Sequence, residues 1–540
     1  MNRLSKYWLF VLLTLAGCYG GSEDARNVFR YNESSGIASL DPAFAKNQSV
    51  NWPVHQLFNT LVETDSALNL VPALARSWDL SPDRRTYTFH LRNDVFFHDD
   101  ACFPGGKGRQ MVASDVAYSL GRIIDGKTAS PGAWIFQDKI DSARGFVAVN
   151  DSTFELRLLR PYQPILGILS MQYCSVLPRE AVAKYGTDLR KHPVGTGPFR
   201  FVAWEEGQAL ILKKHERYHE RDAEGRQLPY LDGLRISFYD NKATEFLLFR
   251  QGKLDFINDI EASFKDEVLS RRGELRPEWR GRVKLDKHAY LNTEYLGLLV
   301  DSSNPILNAA PTRQRLVRQA INYAINRKAL VLYLRNSIGT PAESGFVPAG
   351  LPSFDAAEVK GYTYNPAESR RLLARAGYGG KAVPPLKLQT IPAYAEIGNF
   401  IARQLEEVGI PVRVEVVQKS LLLDMTSNGK ALFFRGSWIA DYPDAENYLS
   451  VFYSKNPAPP NYTRYHNPAF DDLFEQAIAE PDDAKRYALY RKADALVLSD
   501  APVVPLWYDM VIHLIQPGVE GFPANALNLL ELRKVRKNVQ

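Results

Sequence analysis

Between positions 386 and 439 the sequence alternates between two apolar periods. "LKLQT" has the two-residue period of a strand, and "YAEIGNFIARQLEEVG" has the helical period and closes at Gly409. "VRVEVV" returns to the strand period, "SLLLDMTSNG" is helical again, and "ALFFRG" is a strand once more. Strand, helix, strand, helix, strand with short links requires crossover connections, hence parallel pairing in an α/β sheet. Upstream, "NPAESRRLLARAGY" reads as a helix with proline at its start and Gly377 near its end. "TRQRLVRQAINYAINRKAL" reads as one long helix capped by Thr312. The first half mixes strands and helices. "RTYTFHLR" alternates as a half-buried strand, "ASDVAYSLGRII" is a helix capped by Ser114, and "FVAVNDSTFELRLL" is a hairpin turning at Asn150-Asp151.

The last strand of the alternating series runs straight into "SWIADYPDAENYL". Asp441, Asp444 and Glu446 stand there among Trp438, Tyr442 and Tyr448. A solvated loop has no use for the rings, and a core rejects the acids. A ligand pocket uses both, and in open α/β sheets ligands bind beyond the carboxyl ends of the strands. The bland alternative is a capping loop with surface acids.

At 540 residues the chain exceeds one ordinary core, so several units or two large lobes are expected. Arg3 and Lys6 precede the apolar run "YWLFVLLTL", which "LAGC" follows. That is a secretory leader, too short to remain as a spanning helix. "LAGC" looks like a lipobox, whose cysteine, Cys18, becomes the lipidated first residue. Residues 1–17 are then signal and 18–26 a tether. Cys102 and Cys174 remain. In an oxidising compartment a Cys102–Cys174 disulfide is expected, two free thiols being the alternative.

"HERYH" places His215 and His219 in the H-E-x-x-H spacing of zinc proteases, whose two imidazoles must share a helix face. Here the strand-like "ALILKK" precedes the motif and a polar, glycine- and proline-containing stretch follows, so loop residues are expected. There is no phosphate loop, no nucleophile elbow and no paired CxxC. No catalytic set, metal site or cofactor is expected. The net charge of +5 is small and its basic residues are scattered, which argues against nucleic-acid binding.

Several segments recur in one order: the lipobox, "SLDPAF" at 39–44, "LVPALARSWDLSPDRRTYTFHLRNDVFFHDD" at 70–100, "GTGPFRF" at 195–201, "LVRQAINYAINR" at 316–327 and "WIADYPDAENYL" at 438–449. Together they resemble family 5 of the bacterial solute-binding proteins, the oligopeptide- and dipeptide-binding receptors of ABC importers. The resemblance implies a two-lobed α/β periplasmic-binding-protein fold (type II, large peptide-binding class) that closes on its ligand. Lobe one would comprise 27–60, 191–290 and 505–540, with an extra subdomain at 61–190, and lobe two 291–504. It implies a monomeric receptor rather than an enzyme, one that hands short peptides to membrane permease subunits. The receptor would be periplasmic or on the outer face of the cytoplasmic membrane, held through Cys18. Carried over by position, Asp441 would hold the peptide's α-ammonium and Arg435 its carboxylate. The backbone at Ser437, Trp438 and Ile439 would pair with the peptide. Gln48 and Ser49, in "KNQS", would face them from lobe one by their distance from "SLDP". Alternatives are a same-fold receptor for a metal chelate, sugar or opine, a module that has kept the fold for chaperoning or signalling, and a zinc metalloprotease through His215 and His219.

Overall fold

The computed structural model describes residues 27–523 and 525–538; the leader and Cys18 lie outside the described residues. The alternating stretch folds as its periods predict. Strands Leu386–Thr390, Val412–Val416 and Phe433–Ile439 run parallel, with Leu386 opposite Val412 and Leu388 opposite Phe433. Between the first two, helix Ala395–Glu407 buries Ile401 and Leu405. Its Gly398 lets the helix approach the sheet, since a Cβ there would meet Val414 at 3.1 Å. Gly409 ends the segment at φ 92°, a left-handed value that glycine adopts without strain.

Phe433–Ile439 pairs antiparallel on its other edge with Lys284–Leu298, a strand of 15 residues. That strand pairs in turn with Val503–Ile515, of 13 residues. Phe256–Asn258 and Thr340–Pro341 complete a mixed seven-stranded sheet. The two long strands tie three cores together. Leu296, Leu298, Val504 and Leu506 are buried in one, Ile512 and Leu514 in a second with Phe246 and Phe249, and Leu291 and Tyr295 in the largest. Their mutual register slips between Ala289 and Thr293, the kind of bulge that bends a strand pair.

Two four-stranded sheets flank this frame. One orders Val28–Asn32, Gly233–Ser237, Ala209–Lys214 and Phe199–Glu205. The other is wholly antiparallel: Ala75–Leu80, Thr86–Leu91, Thr153–Arg157 and Phe146–Asn150.

Three expectations are corrected. Ser114 is not a cap: helix Ala113–Ile124 begins before it, and the Asp115 carboxylate accepts the Val112 N–H instead. The long helix expected after Thr312 is broken into Arg315–Ala324 and Arg327–Leu334, with Asn326 capping the second. Thr312 itself is buried in a short 3₁₀ turn whose carbonyl accepts from Arg318. Finally, Cys102 and Cys174 are free cysteines and form no disulfide. Cys174 is buried with its thiol donating to the Ile168 carbonyl, whereas Cys102 is half-buried in a separate loop. Counting thiols does not establish that two side chains meet.

Candidate functional site

Beyond Ile439 the chain keeps one more sheet-like bond, Ala440 N–H to Leu291 O at 2.9 Å, and then turns at 441–444. Asp444 caps helix Ala445–Leu449 by accepting the Glu446 N–H at 2.9 Å, and its other oxygen pairs with the buried Arg486. Glu446 is buried and accepts from the Tyr442 hydroxyl. Burial pushes the Glu446 carboxyl up to about 7, Asp444 nearby adding to the rise and the Tyr442 hydrogen bond opposing it. Two of the three acids are therefore structural, and Tyr442 and Tyr448 are core rings.

Asp441 is different. Asn447 holds it in place: the amide nitrogen donates to Asp441 Oδ2 at 3.2 Å, while Asn447 Oδ1 accepts from Asp441 N at 3.2 Å and from Trp438 Nε1 at 3.1 Å. Among the described residues the carboxylate meets no cation and its Oδ1 accepts no hydrogen bond. It opens into a cavity of about 630 Å³. Desolvation by the surrounding walls raises its carboxyl above the ordinary range, opposed by the Asn447 hydrogen bond. An accessible anion held in place by Asn447, with no cation beside it among the described residues, is suited to a cationic ligand group.

The cavity's opposite side comes from helix Gln48–Leu57 and the turn at Asn528. The Asn528 carbonyl accepts from Trp52 Nε1 at 2.7 Å and from Gln48 Nε2 at 3.5 Å. Trp134, Tyr173 and Tyr290 supply aromatic wall. Burial, with Asp441 nearby, pushes the Tyr173 hydroxyl up to about 12.

Of the residues expected at the site, Gln48, Ile439 and Asp441 line this cavity. Ser49 is buried, its hydroxyl on Asn47 Oδ1 at 3.1 Å. Ser437 lies in the strand opposite Glu294. Trp438 packs against the main core. Arg435 is engaged by Glu294 and does not line the cavity. Trp52, Trp134, Tyr173, Tyr290 and Asn528 were not expected; they come from scattered segments that only the fold brings together. Along one edge, the strand at 433–439 pairs with Leu388 and Gln389 only through Phe434, so from Arg435 onward that edge has no strand partner among the described residues. The "HERYH" segment is a turn after strand Ala209–Lys214, not a helix. Burial lowers both its imidazoles to about 4, and His215 Nδ1 lies 3.2 Å from the Gly197 carbonyl oxygen.

The family model described as bacterial extracellular solute-binding proteins, family 5 Middle, matches residues 69–460. Heme-binding protein A of Haemophilus influenzae is 27% identical, over 92% of this chain and 90% of that protein. The probable deoxycholate-binding periplasmic protein YgiS of Escherichia coli is 28% identical, over 96% and 95%. Among solved structures, the periplasmic binding protein DppA of Helicobacter pylori in complex with the peptide STSA superposes with a TM-score of 0.73. It is 27% identical, over 95% of this chain and 98% of that one. The fold is thus the two-lobed α/β architecture of periplasmic peptide-binding proteins.

Proposed function

Since the chain belongs to family 5 of the bacterial extracellular solute-binding proteins, we propose that this member captures short peptides for an ABC importer. The single observation that carries the reading is Asp441, a solvent-accessible carboxylate with no cationic partner among the described residues, just past the end of a strand and facing a cavity. A peptide's α-ammonium is its natural counter-charge, because closing the cleft over a carboxylate without a partner would be costly. Two features support a peptide over a generic cation. Among the described residues the strand edge beyond Phe434 is unpaired, and it offers backbone groups to an added strand. Lys46 lines the same cavity, is in no ion pair among the described residues, and is the cation for the peptide's carboxylate, a role that Arg435 cannot fill while Glu294 holds it.

In this reading lobe one (27–60, 191–290, 505–540, with the subdomain 61–190) and lobe two (291–504) close about the two long strands. The mature receptor is a monomer tethered by lipid on Cys18 outside the cytoplasm, delivers to permease subunits, and is not an enzyme. The test is mass spectrometry of small molecules released from the purified protein. Short peptides with free amino termini are expected. A bound tetrapyrrole, bile acid or metal chelate without peptide would overturn the ligand class. Cys18→Ser should release the protein from the membrane fraction.

A further inference from the structure

Behind the cavity, the two long strands bring three ligand-bearing side chains together. Asp286 and His288 are two residues apart on Lys284–Leu298 and so share a face, and Asp286 is directly opposite His513 on Val503–Ile515. One oxygen, Asp286 Oδ2, lies 3.0 Å from His288 Nδ1 and 3.1 Å from His513 Nδ1. The two rings are 5.1 Å apart, and one ligand atom from each of the three residues falls within 4.8 Å of the others. An ion with bonds of about 2.1 Å to nitrogen and oxygen has its ligands about 3.0–3.4 Å apart. The two Asp286–histidine separations already fall in that range, and the two imidazoles, whose ligand atoms lie within 4.8 Å of each other, would have to draw together by up to about 1.4 Å.

Hydrogen bonding alone leaves this arrangement incomplete. His513 Nε2 lies 3.1 Å from Asn528 Oδ1, an acceptor, while the Asn528 amide nitrogen is turned to Asn258 Oδ1 at 3.5 Å. Nε2 therefore carries the hydrogen, and in a neutral ring the lone pair of Nδ1 faces the Asp286 carboxylate, a conflict that either a second ring proton or a cation between them resolves. For His288, Nε2 is buried without a partner, so Asp286 is the ring's polar contact among the described residues. Phe256 and Phe522 wall the His513 ring at 4.8 and 5.8 Å. Asp286 retains 28% of its side-chain exposure, which leaves a way in.

We propose that Asp286, His288 and His513 form a binding site for one divalent ion of the zinc class. Two imidazoles with a carboxylate suit zinc, nickel or cobalt, whereas magnesium and calcium take oxygen ligands. The ion's remaining positions are open to solvent. Asn528 orients His513 from outside the ligand set and also lines the peptide cavity, so the ion fixes the cavity's rear wall. Such a grouping is invisible in the sequence, because Asp286 and His513 meet only through strand pairing.

The test uses the full chain in detergent, stripped with a chelator, carrying no histidine tag and titrated with Zn²⁺ and with Co²⁺. One equivalent should bind, with visible cobalt absorption. His288→Gln and, as the shape-preserving second variant, Asp286→Asn should each weaken binding at least tenfold, whereas His219→Ala should leave it unchanged. No stoichiometric binding, or binding that survives both variants, would overturn the proposal, as would loss in His219→Ala alone.

Discussion

Arg435 lays its guanidinium on Glu294, with Nη2 2.7 and 2.8 Å from the two carboxylate oxygens, and stands 3.9 Å over the Tyr394 ring. Both side chains are largely enclosed, and burial outweighs the arginine enough to hold the Glu294 carboxyl above its ordinary range. Breaking such a pair strands one charge. Arg435→Met should cost about 3–5 kcal/mol of stability, and adding Glu294→Met should restore most of it. Denaturant unfolding of the single and double variants measures this. If Arg435 met the ligand carboxylate instead, the double variant would regain stability but still lose free-acid peptides selectively over their amides.

Asp444→Asn should separate scaffold from site. The substitution keeps a capping oxygen but leaves the buried Arg486 with only the exposed Asp483 as its anion. We expect about 3–5 kcal/mol lower stability with peptide affinity altered less than about threefold. A loss of affinity as large as that of an Asp441 variant would assign Asp444 to the ligand.

Glu446 predicts a pH dependence. Its carboxyl sits at about 7 in the fold against an ordinary 4.5, so the folded state favours the protonated form. Stability from this group is full below about 4.5 and is lost as pH rises through about 7, by roughly 3 kcal/mol. Glu446→Gln removes that slope. Thermal unfolding from pH 4 to 8 should show the variant gaining on the original protein across this window. Asp494, also pushed up to about 7 by burial, titrates in both proteins and cancels. Parallel curves would contradict the assignment.

Closure should appear in solution. Small-angle scattering at saturating peptide should show a smaller radius of gyration than without it, because excluding water strengthens the charge pairs in the cavity. An unchanged profile would count against a closing cleft.

What could be read before folding follows from range. The stretch 386–439 was legible because a change of period is local, and with it came the position of Asp441 past a strand end. Asp444 and Glu446 could not be told from Asp441 in the sequence: Arg486 and Tyr162, which help make them structural, lie far along the chain. Thr312 failed as a cap for a similar reason, since Arg318 ties that turn to the carbonyls of Asp500 and Ala501. Tyr290 and Asn528 join the cavity only through the long-strand pairing and the returning C-terminal segment.

The central claim is that Asp441 holds the ligand's α-ammonium. Calorimetry of one short peptide and its N-acetylated form, against the original protein and Asp441→Asn, tests it most directly. Charge-assisted bonds of this kind are worth about 1.5–3 kcal/mol, and stranding a buried partner costs about 3–5. At about 1.4 kcal/mol per factor of ten, the free peptide should bind the variant about a hundredfold or more weakly. The acetylated peptide should bind the original protein poorly and change little with the substitution. Equal binding of the free and acetylated peptides to the original protein would contradict the claim.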